Sequence, residues 1–559
     1  MDEPANPELT STEPVQDAFP CAVSPSTPGE HNTNGLETGN PLVGDSAVGQ
    51  TAPTSPINTV LPETTAIRVS GSGDVSIPKQ SFLETLTAPG IVVVVASLYA
   101  LVYACRIIFR HHLAFGSQGF DYGIFDQGVY LMSRFKAPFV TIMGRNLFAD
   151  HGSFTLLPLV PLYWIWPNGL VLYGAQTASI TLTAIPIFGA AKKILNGRGW
   201  LAAAIALSYL VNPVVAWTGA ENFHPDSLAI LGLATAWWAL VNSRWRWFLF
   251  ACLWVAATKE DMSLVVIPLG LYCARKHNKK VGYAVAVGSF VFTVATLVLL
   301  RIMNGVGSLN SWRIPFGGPI GSIKQTLQHP GTVWAYFLTE GRPWYAWQLA
   351  FPLGLVALLA WKRSVPALMG SLVVFVSNMV STFFYQHNAH YHYSGIIVPG
   401  LAIAAALGLS SERFRIHVPK LAALTLAVSV WVGYLWGPMP ASRNANPWSR
   451  ENPNYDATME LVRSVPPDVV VSADYRVVPY LSHRREAYQF PVPFKDSYWN
   501  LPDDESGGID LARRAARVEY LLLPLSLEAE AAGVWANIST QFKIVKTSTS
   551  GWAIYRRVP

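Results

Sequence analysis

The sequence predicts an α-helical polytopic membrane protein with about eleven transmembrane segments, followed by a small C-terminal α/β domain. Three observations predict it. The 559 residues are 51% hydrophobic and only 13% charged, too apolar for a soluble chain of several domains. Apolar runs close to crossing length recur between residues 88 and 437. Beyond residue 437 the runs shorten to strand length and alternate with helix-prone segments.

Residues 1–80 are rich in Pro, Ser, Thr, Gly and Asn and have no sustained periodicity. They cannot bury enough surface to offset the entropy of ordering, so a disordered tail is expected. Asp2 and Glu3 lead into no apolar stretch, and no cleavable signal peptide is expected. The first crossing is predicted over 88–109. Residues 154–166 are apolar for only half a span and end in Tyr163, Trp164, Ile165, Trp166 and Pro167, which favours an interfacial helix. Further crossings are predicted at 169–191, 200–218, 227–242, 247–258, 262–274, 281–301, 344–361, 365–384, 394–410 and 421–437. The two flanking Thr258 are short, so they form either thin crossings or a re-entrant hairpin.

Alternate connections carry Lys192, Lys193 and Arg198; Arg244 and Arg246; Arg275, Lys276, Lys279 and Lys280; Lys362 and Arg363; and Arg413, Arg415 and Lys420. The positive-inside rule makes these cytoplasmic, with the N-terminal tail inside and the C-terminal domain outside. Arg106, Arg110, Arg134, Lys136 and Arg145 depart from that rule near the first external loop, and basic residues held there are candidates for binding an anion. The net charge of +6 is dispersed, which argues against a nucleic-acid partner. The four cysteines have no metal-ligand spacing, so neither a disulfide framework nor a zinc site is expected from them. In the C-terminal region strands are expected at 468–473 and 518–524, helices at 511–517 and 527–532, and a hairpin at 542–556.

All the polar clusters that abut apolar runs fall on the external side. They are Asp121 and Asp126 in the loop after the first span; Asp150 and His151; Glu221, His224 and Asp226; Lys259, Glu260 and Asp261; and His387, His390, Tyr391, His392 and Tyr393. Charge beside a bilayer is expensive and usually functional. Bland readings stand beside the functional ones: Asp126 or Asp226 caps a helix, His151 bonds a loop carbonyl, and Lys259 to Asp261 neutralise one another. A helix through His387 would set His390 on the same face, and the histidine-rich stretch suits metal coordination or contacts to sugar and phosphate.

The acidic loop, the Phe-Ala-Asp-His run ending at His151, the Glu-Asn-Phe-His-Pro-Asp run from Glu221, the Lys-Glu-Asp triplet and the His-Tyr-Ser-Gly-Ile-Ile-Val-Pro run from His392 resemble the bacterial membrane proteins called domain of unknown function 2079, over about residues 85–550. That family in turn resembles the GT-C glycosyltransferases, polytopic enzymes that move a sugar from a polyprenyl-phosphate donor to an acceptor outside the cytoplasmic membrane. The resemblance implies a GT-C-like membrane domain over 85–437, an external domain over 438–559, and a multi-pass protein of the bacterial cytoplasmic (inner) membrane. In that pattern an acidic residue of the first external loop is the base, which matches Asp121 first and Asp126 second. The two are separated by four residues, unlike the adjacent acids of several GT-C families. His151 joins them as a catalytic candidate. Arg145, Glu221, His224, Lys259, Glu260, His390, His392 and Tyr393 are the substrate-binding candidates, with Lys259 suited to the donor phosphate. A divalent metal is compatible with these residues, and no other cofactor is implied. The expected partners are a polyprenyl-phosphate-linked sugar, a cell-envelope acceptor and the lipid bilayer. The rival reading is a transporter or flippase using the same charges as a path, which would need them at the midplane and from both sides. A third is a non-catalytic scaffold.

Overall fold

The first apolar run folds as one helix, Ala88–Leu113, with proline in its first turn and Arg110 in its last, where a cation complements the helix dipole. The structure, a computed structural model, describes residues 87–304, 313–445, 452–495, 498 and 510–559. The tail expected over 1–80 lies outside the described residues. Among the described residues six helices are long and apolar enough to cross a membrane: Ala88–Leu113, Leu170–Ile194, Lys279–Met303, Trp361–Val380, His392–Leu409 and Val418–Trp436. Shorter apolar helices, among them Gly199–Leu210, Pro225–Val241 and Trp245–Ala256, pack between them.

Prolines divide two of the expected spans. Over 200–218, Gly199–Leu210 stops before Asn212, whose side chain accepts from Val214 N at 3.0 Å and starts Pro213–Thr218. Over 344–361, Pro352 separates Arg342–Ala350 from Leu353–Leu359. The half-span is short helical turns, Phe154–Leu159 and Leu162–Ile165, with Trp164, Ile165 and Trp166 exposed. Two helices not anticipated, Gly318–Gln328 and Pro330–Phe337, follow the long helix. The first exposes Ile320, Ile323 and Leu327 on one face, as an interfacial helix does.

Met262–Lys276 and Lys279–Asn304 form a close antiparallel hairpin. A Cβ at Gly282 would lie 2.1 Å from Ala274 N, and one at Gly270 would lie 2.8 Å from Ala286 N. Glycine is what lets the two backbones approach.

A two-stranded hairpin, β1 (Phe139–Val140) and β2 (Arg145–Asn146), lies in the loop after the first span. The C-terminal domain holds β3 (Val471–Ala473), β4 (Ala487–Gln489), β5 (Tyr520–Pro524), β6 (Phe542–Thr547) and β7 (Trp552–Arg557) in the order β4-β3-β5-β7-β6. β3 runs parallel to β4 and β5, and the β5, β7 and β6 pairs are antiparallel. Strand alternation divides the sheet's two faces. Leu522 and Ile554 join a core with Ile124, Val129, Ile142 and Tyr163 of the first loop, whereas Leu521, Leu523 and Ala553 pack with Leu511 and Ile538. One face of the C-terminal sheet is therefore built into the first loop.

Leu170–Ile194 fixes the two ends of the bundle. A Cβ at Gly169, just before it, would meet the Tyr122 hydroxyl and Asp126, and it finishes at Lys192 and Lys193. Its 25 residues place roughly 37 Å between the acidic loop and that basic connection.

Candidate active site

Asp121 sits in a single wide turn, Gly119–Gly123, that feeds the helix Ile124–Ser133. Its carboxylate is 34% exposed and lies 3.6 Å from His224 Nε2. Burial raises its pKa, but the hydrogen bond and charge of His224, with His392 and Asn222, outweigh that and hold it below the usual range. His224 stacks on His392, ring centroids 3.4 Å apart and planes 12° from parallel. His392 gives its backbone N–H to Glu221 Oε2, and its Nδ1 is 3.3 Å from Glu221 Oε1. On its other side, His392 Nε2 is 3.8 Å from Asp226 Oδ2. Burial foremost, with the charges of Asp121 and Asp226, pushes Glu221 up to about 8 against the opposing His224. It therefore holds a proton at neutral pH unless a cation displaces it.

The chain of contacts continues through the turn between Trp245–Ala256 and Met262–Lys276. Asp226 lies in the electrostatic field of Lys259 and His151. Lys259 Nζ is 4.0 Å from Asp261 Oδ2, whereas Glu260 turns away to accept from His151 Nδ1 at 2.8 Å and from Gly152 N at 3.2 Å. Burial lowers the pKa of His151, but Glu260 and Asp150 raise it further, so the ring is held charged above its ordinary value. His151 Nε2 is 3.8 Å from Asp150 Oδ2, and Asp150 Oδ1 is 3.6 Å from Arg145 Nε. Arg145 Nε and Nη1 are buried without a hydrogen-bond partner, as is Asp226 Oδ1. Orphaned donors of a guanidinium suit an anion. Tyr393 packs on His392 at 3.9 Å and feels the charges of Lys259, Glu221 and Asp121.

Thus Asp121, Arg145, His151, Glu221, His224, Lys259, Glu260, His392 and Tyr393 form one continuous cluster. Three of the residues anticipated for the site lie apart from it. His390 is exposed against Trp217, and His387 ends a short turn, Phe384–His387, beside Glu340, so no helix pairs the two. Asp126 is 2% exposed and engaged on both oxygens: Oδ1 accepts from Tyr163 OH at 2.7 Å and lies 3.0 Å from His483 Nε2, and Oδ2 accepts from Ser482. It stands inside the first turn of its helix and caps nothing.

Glu221, His224 and His392 each present a donor atom, all within 4.8 Å of one another. Two imidazoles and a carboxylate fit a first-row divalent cation such as zinc or manganese.

Sequence reasoning missed the groups that hold this cluster in place. Gln176, buried inside the span Leu170–Ile194, donates to Glu221 O at 3.0 Å and accepts from His224 N at 2.9 Å and Ser227 Oγ at 3.0 Å. Asn222 Oδ1 accepts from Tyr173 OH at 2.8 Å and its amide donates to Gly116 O at 3.2 Å. An amide in an otherwise apolar span was the available signal for Gln176. Nothing local signalled Ser482 or His483, which reach Asp126 from more than 350 positions away.

A helical bundle with this cluster at one end and a small sheet domain built into the same loop defines a polytopic membrane protein of GT-C-like fold. The fold aligns with that of ArnT from Cupriavidus metallidurans bound to undecaprenyl phosphate, at TM-score 0.52 and 12% identity over 84% of this chain and 99% of that one. The apo form of the same protein aligns equally well, at 0.52 and 13% identity. The Archaeoglobus fulgidus oligosaccharyltransferase aligns at TM-score 0.40 and 13% identity, over 83% of this chain and 74% of that one. No curated protein sequence matches the chain. Residues 111–556 match the family model described as predicted membrane protein (DUF2079), and the chain belongs to that family.

Proposed function

We propose that the protein is an integral membrane glycosyltransferase that moves a sugar from a polyprenyl-phosphate donor to a cell-envelope acceptor on the external face of the cytoplasmic membrane. One observation carries this reading: acids, imidazoles and cations, among them guanidinium donors of Arg145 without a hydrogen-bond partner, converge at one end of a bundle whose fold is shared with a protein crystallised with undecaprenyl phosphate. A carrier would instead spread such groups across the midplane.

In this reading Asp121 takes the proton of the acceptor hydroxyl. It is ionised at neutral pH, partly open, and oriented by His224. The acceptor oxygen forms a bond to the anomeric carbon as the carbon–oxygen bond to phosphate breaks, and the polyprenyl phosphate leaves with its charge. Arg145 and Lys259 receive that phosphate, and the Glu260–His151 pair holds the two loops that carry them together. Tyr393 and His392 wall the sugar side. Glu221, His224 and His392 are the residues that would hold a divalent cation, which when bound supplies positive charge to the departing phosphate. Asp126 is assigned to architecture because its oxygens are already engaged.

The test is transfer from a radiolabelled undecaprenyl-phosphate sugar by the purified protein. Asp121→Asn is expected to lower transfer by roughly 10²–10⁴-fold while undecaprenyl-phosphate binding survives. Failure of the wild-type protein to bind either undecaprenyl or decaprenyl phosphate would count against the enzyme.

A further inference from the structure

The turn that bears Asp121 is bracketed at both ends by the C-terminal domain. At its start Gly119 N donates to Tyr475 O at 3.1 Å, and a Cβ at Gly119 would lie 2.3 Å from Gln489 Oε1. At its end a Cβ at Gly123 would sit 3.6 Å from Pro479 Cα. Just beyond, Asp126 binds Ser482 and His483. Gln127 Nε2 donates to Arg484 O at 3.3 Å and to Thr141 Oγ1 at 2.9 Å, and Thr141 in turn donates to Ala487 O at 2.6 Å. Among the described residues, only the Asp126–His483 contact in this seam carries opposite charges on two side chains.

We propose that Asp126, Ser482 and His483 form a latch through which the C-terminal domain positions the Gly119–Gly123 turn, and with it Asp121, in a pH-dependent manner. The importance of Asp121 rests on the function proposed above; the latch itself does not.

The groups around His483 set the sign. Its ring lies flat against Tyr130 at 4.5 Å and 10°, and at 5.9 Å from Tyr163. Asp126 faces Nε2, while Arg134 and Arg484 contribute opposing positive charge. Burial lowers its pKa, Asp126 raises it by more, and the net direction is upward. For Asp126, burial raises and His483, Ser482 and Tyr163 lower, leaving the carboxylate below its ordinary value. The charged latch is therefore complete below the ordinary histidine pKa and is lost as pH rises through the raised one; at the acid end it is lost as pH falls through the depressed pKa of Asp126. A neutral His483 still donates a hydrogen bond, so alkaline pH weakens the latch without dissolving it.

The experiment is amide hydrogen exchange on the full-length protein in detergent at pH 6 and pH 9, corrected for intrinsic rates. Peptides covering 119–133 are compared with a reference covering β5. In the wild type, protection over 119–127 is expected to fall severalfold between pH 6 and pH 9 as His483 loses its charge and the charge-assisted bond to Asp126 becomes a neutral one, with β5 unchanged. His483→Gln keeps a neutral donor and should give a flat profile with β5 still protected. Ser482→Ala should lower protection at both pH values and keep the slope. A wild-type profile without slope, or a slope that survives His483→Gln, overturns the latch. Undecaprenyl phosphate is titrated in parallel: its affinity should follow the same pH profile in the wild type and lose it in His483→Gln. Its failure to bind at any pH overturns the donor reading above, and exchange protection alone then decides the latch.

Discussion

Replacing Gln176 with leucine keeps the side chain's size and changes no charge, yet it should damage the site more than most changes to its surface residues. Gln176 is 1% exposed and serves the loop 218–227 through five hydrogen bonds, of which those to Glu221 O, His224 N and Ser227 Oγ are 3.0 Å or shorter. Ser227 Oγ keeps a second partner, donating to His224 O at 2.6 Å, so its loss is mild. The Glu221 carbonyl and His224 N–H lose these bonds, at about 1–3 kcal/mol each. Leucine recovers part of that through its own burial, which leaves an expected destabilisation of ~3 kcal/mol. Glu221 and His224 would also shift, and a displacement near 1 Å lowers a positioned reaction by about 10²-fold. Unfolding in a titration with SDS, followed by tryptophan fluorescence, measures the first effect; transfer or undecaprenyl-phosphate binding measures the second. Thr181→Val on the same helix is the control, since its hydroxyl bonds only Thr177 O one turn back, at 2.8 Å. If Gln176→Leu costs under about 1 kcal/mol and leaves binding intact, the loop does not depend on this amide.

Glu260→Gln should remove the ion pair with His151 and flatten pH dependence. Burial raises the Glu260 pKa, but His151 and Lys259 bring it down to about 2, so its contribution is present above the ordinary carboxylate value and lost as pH falls toward 2; that of His151 is present below its ordinary value and lost as pH rises through its raised one. Thermal unfolding from pH 4 to 9 should show a stability maximum between the ordinary carboxylate and histidine values in the wild type and a flatter profile in the variant. Manganese or zinc titrated calorimetrically should bind the wild type and lose at least tenfold in affinity in His392→Ala; equal binding would remove the triad as a ligand set. Gly282→Ala should destabilise by about 1–3 kcal/mol because the added carbon meets Ala274 backbone, whereas Gly288→Ala, with open space around it, should not destabilise.

Much of this was legible in the sequence because membranes constrain chains strongly. The half-span ending in Trp164 and Trp166 was readable from aromatic placement, and β3, β5 and the β6–β7 hairpin from short β-branched and apolar runs. The helices Gly318–Gln328 and Pro330–Phe337 were not: the apolar residues of the first line one face without forming a run, and the run in the second, from Val333 to Phe337, is far short of a crossing. β4 is three residues long beside Arg484 and Arg485, too brief for a pattern. At the site, ionisable residues announced themselves by their cost near lipid, and nearly all of them converge. The separate roles proposed for Asp121 and Asp126 were not legible, because the two differ only in what the fold brings against them: His224 from within the membrane bundle, and Ser482 and His483 from the far end of the chain.

That last contact also sets an order of events during synthesis. Asp126 and Ser482 are 356 positions apart, so at about 5–20 residues per second the first loop waits roughly 20–70 s for its partner to leave the ribosome. Through that interval every helix of the bundle can be inserted while the loop that carries Asp121 still lacks this support. A chain that terminates before the C-terminal sheet would therefore insert with its full set of spans and still be recognisable as unfinished, by a buried-type carboxylate left in water.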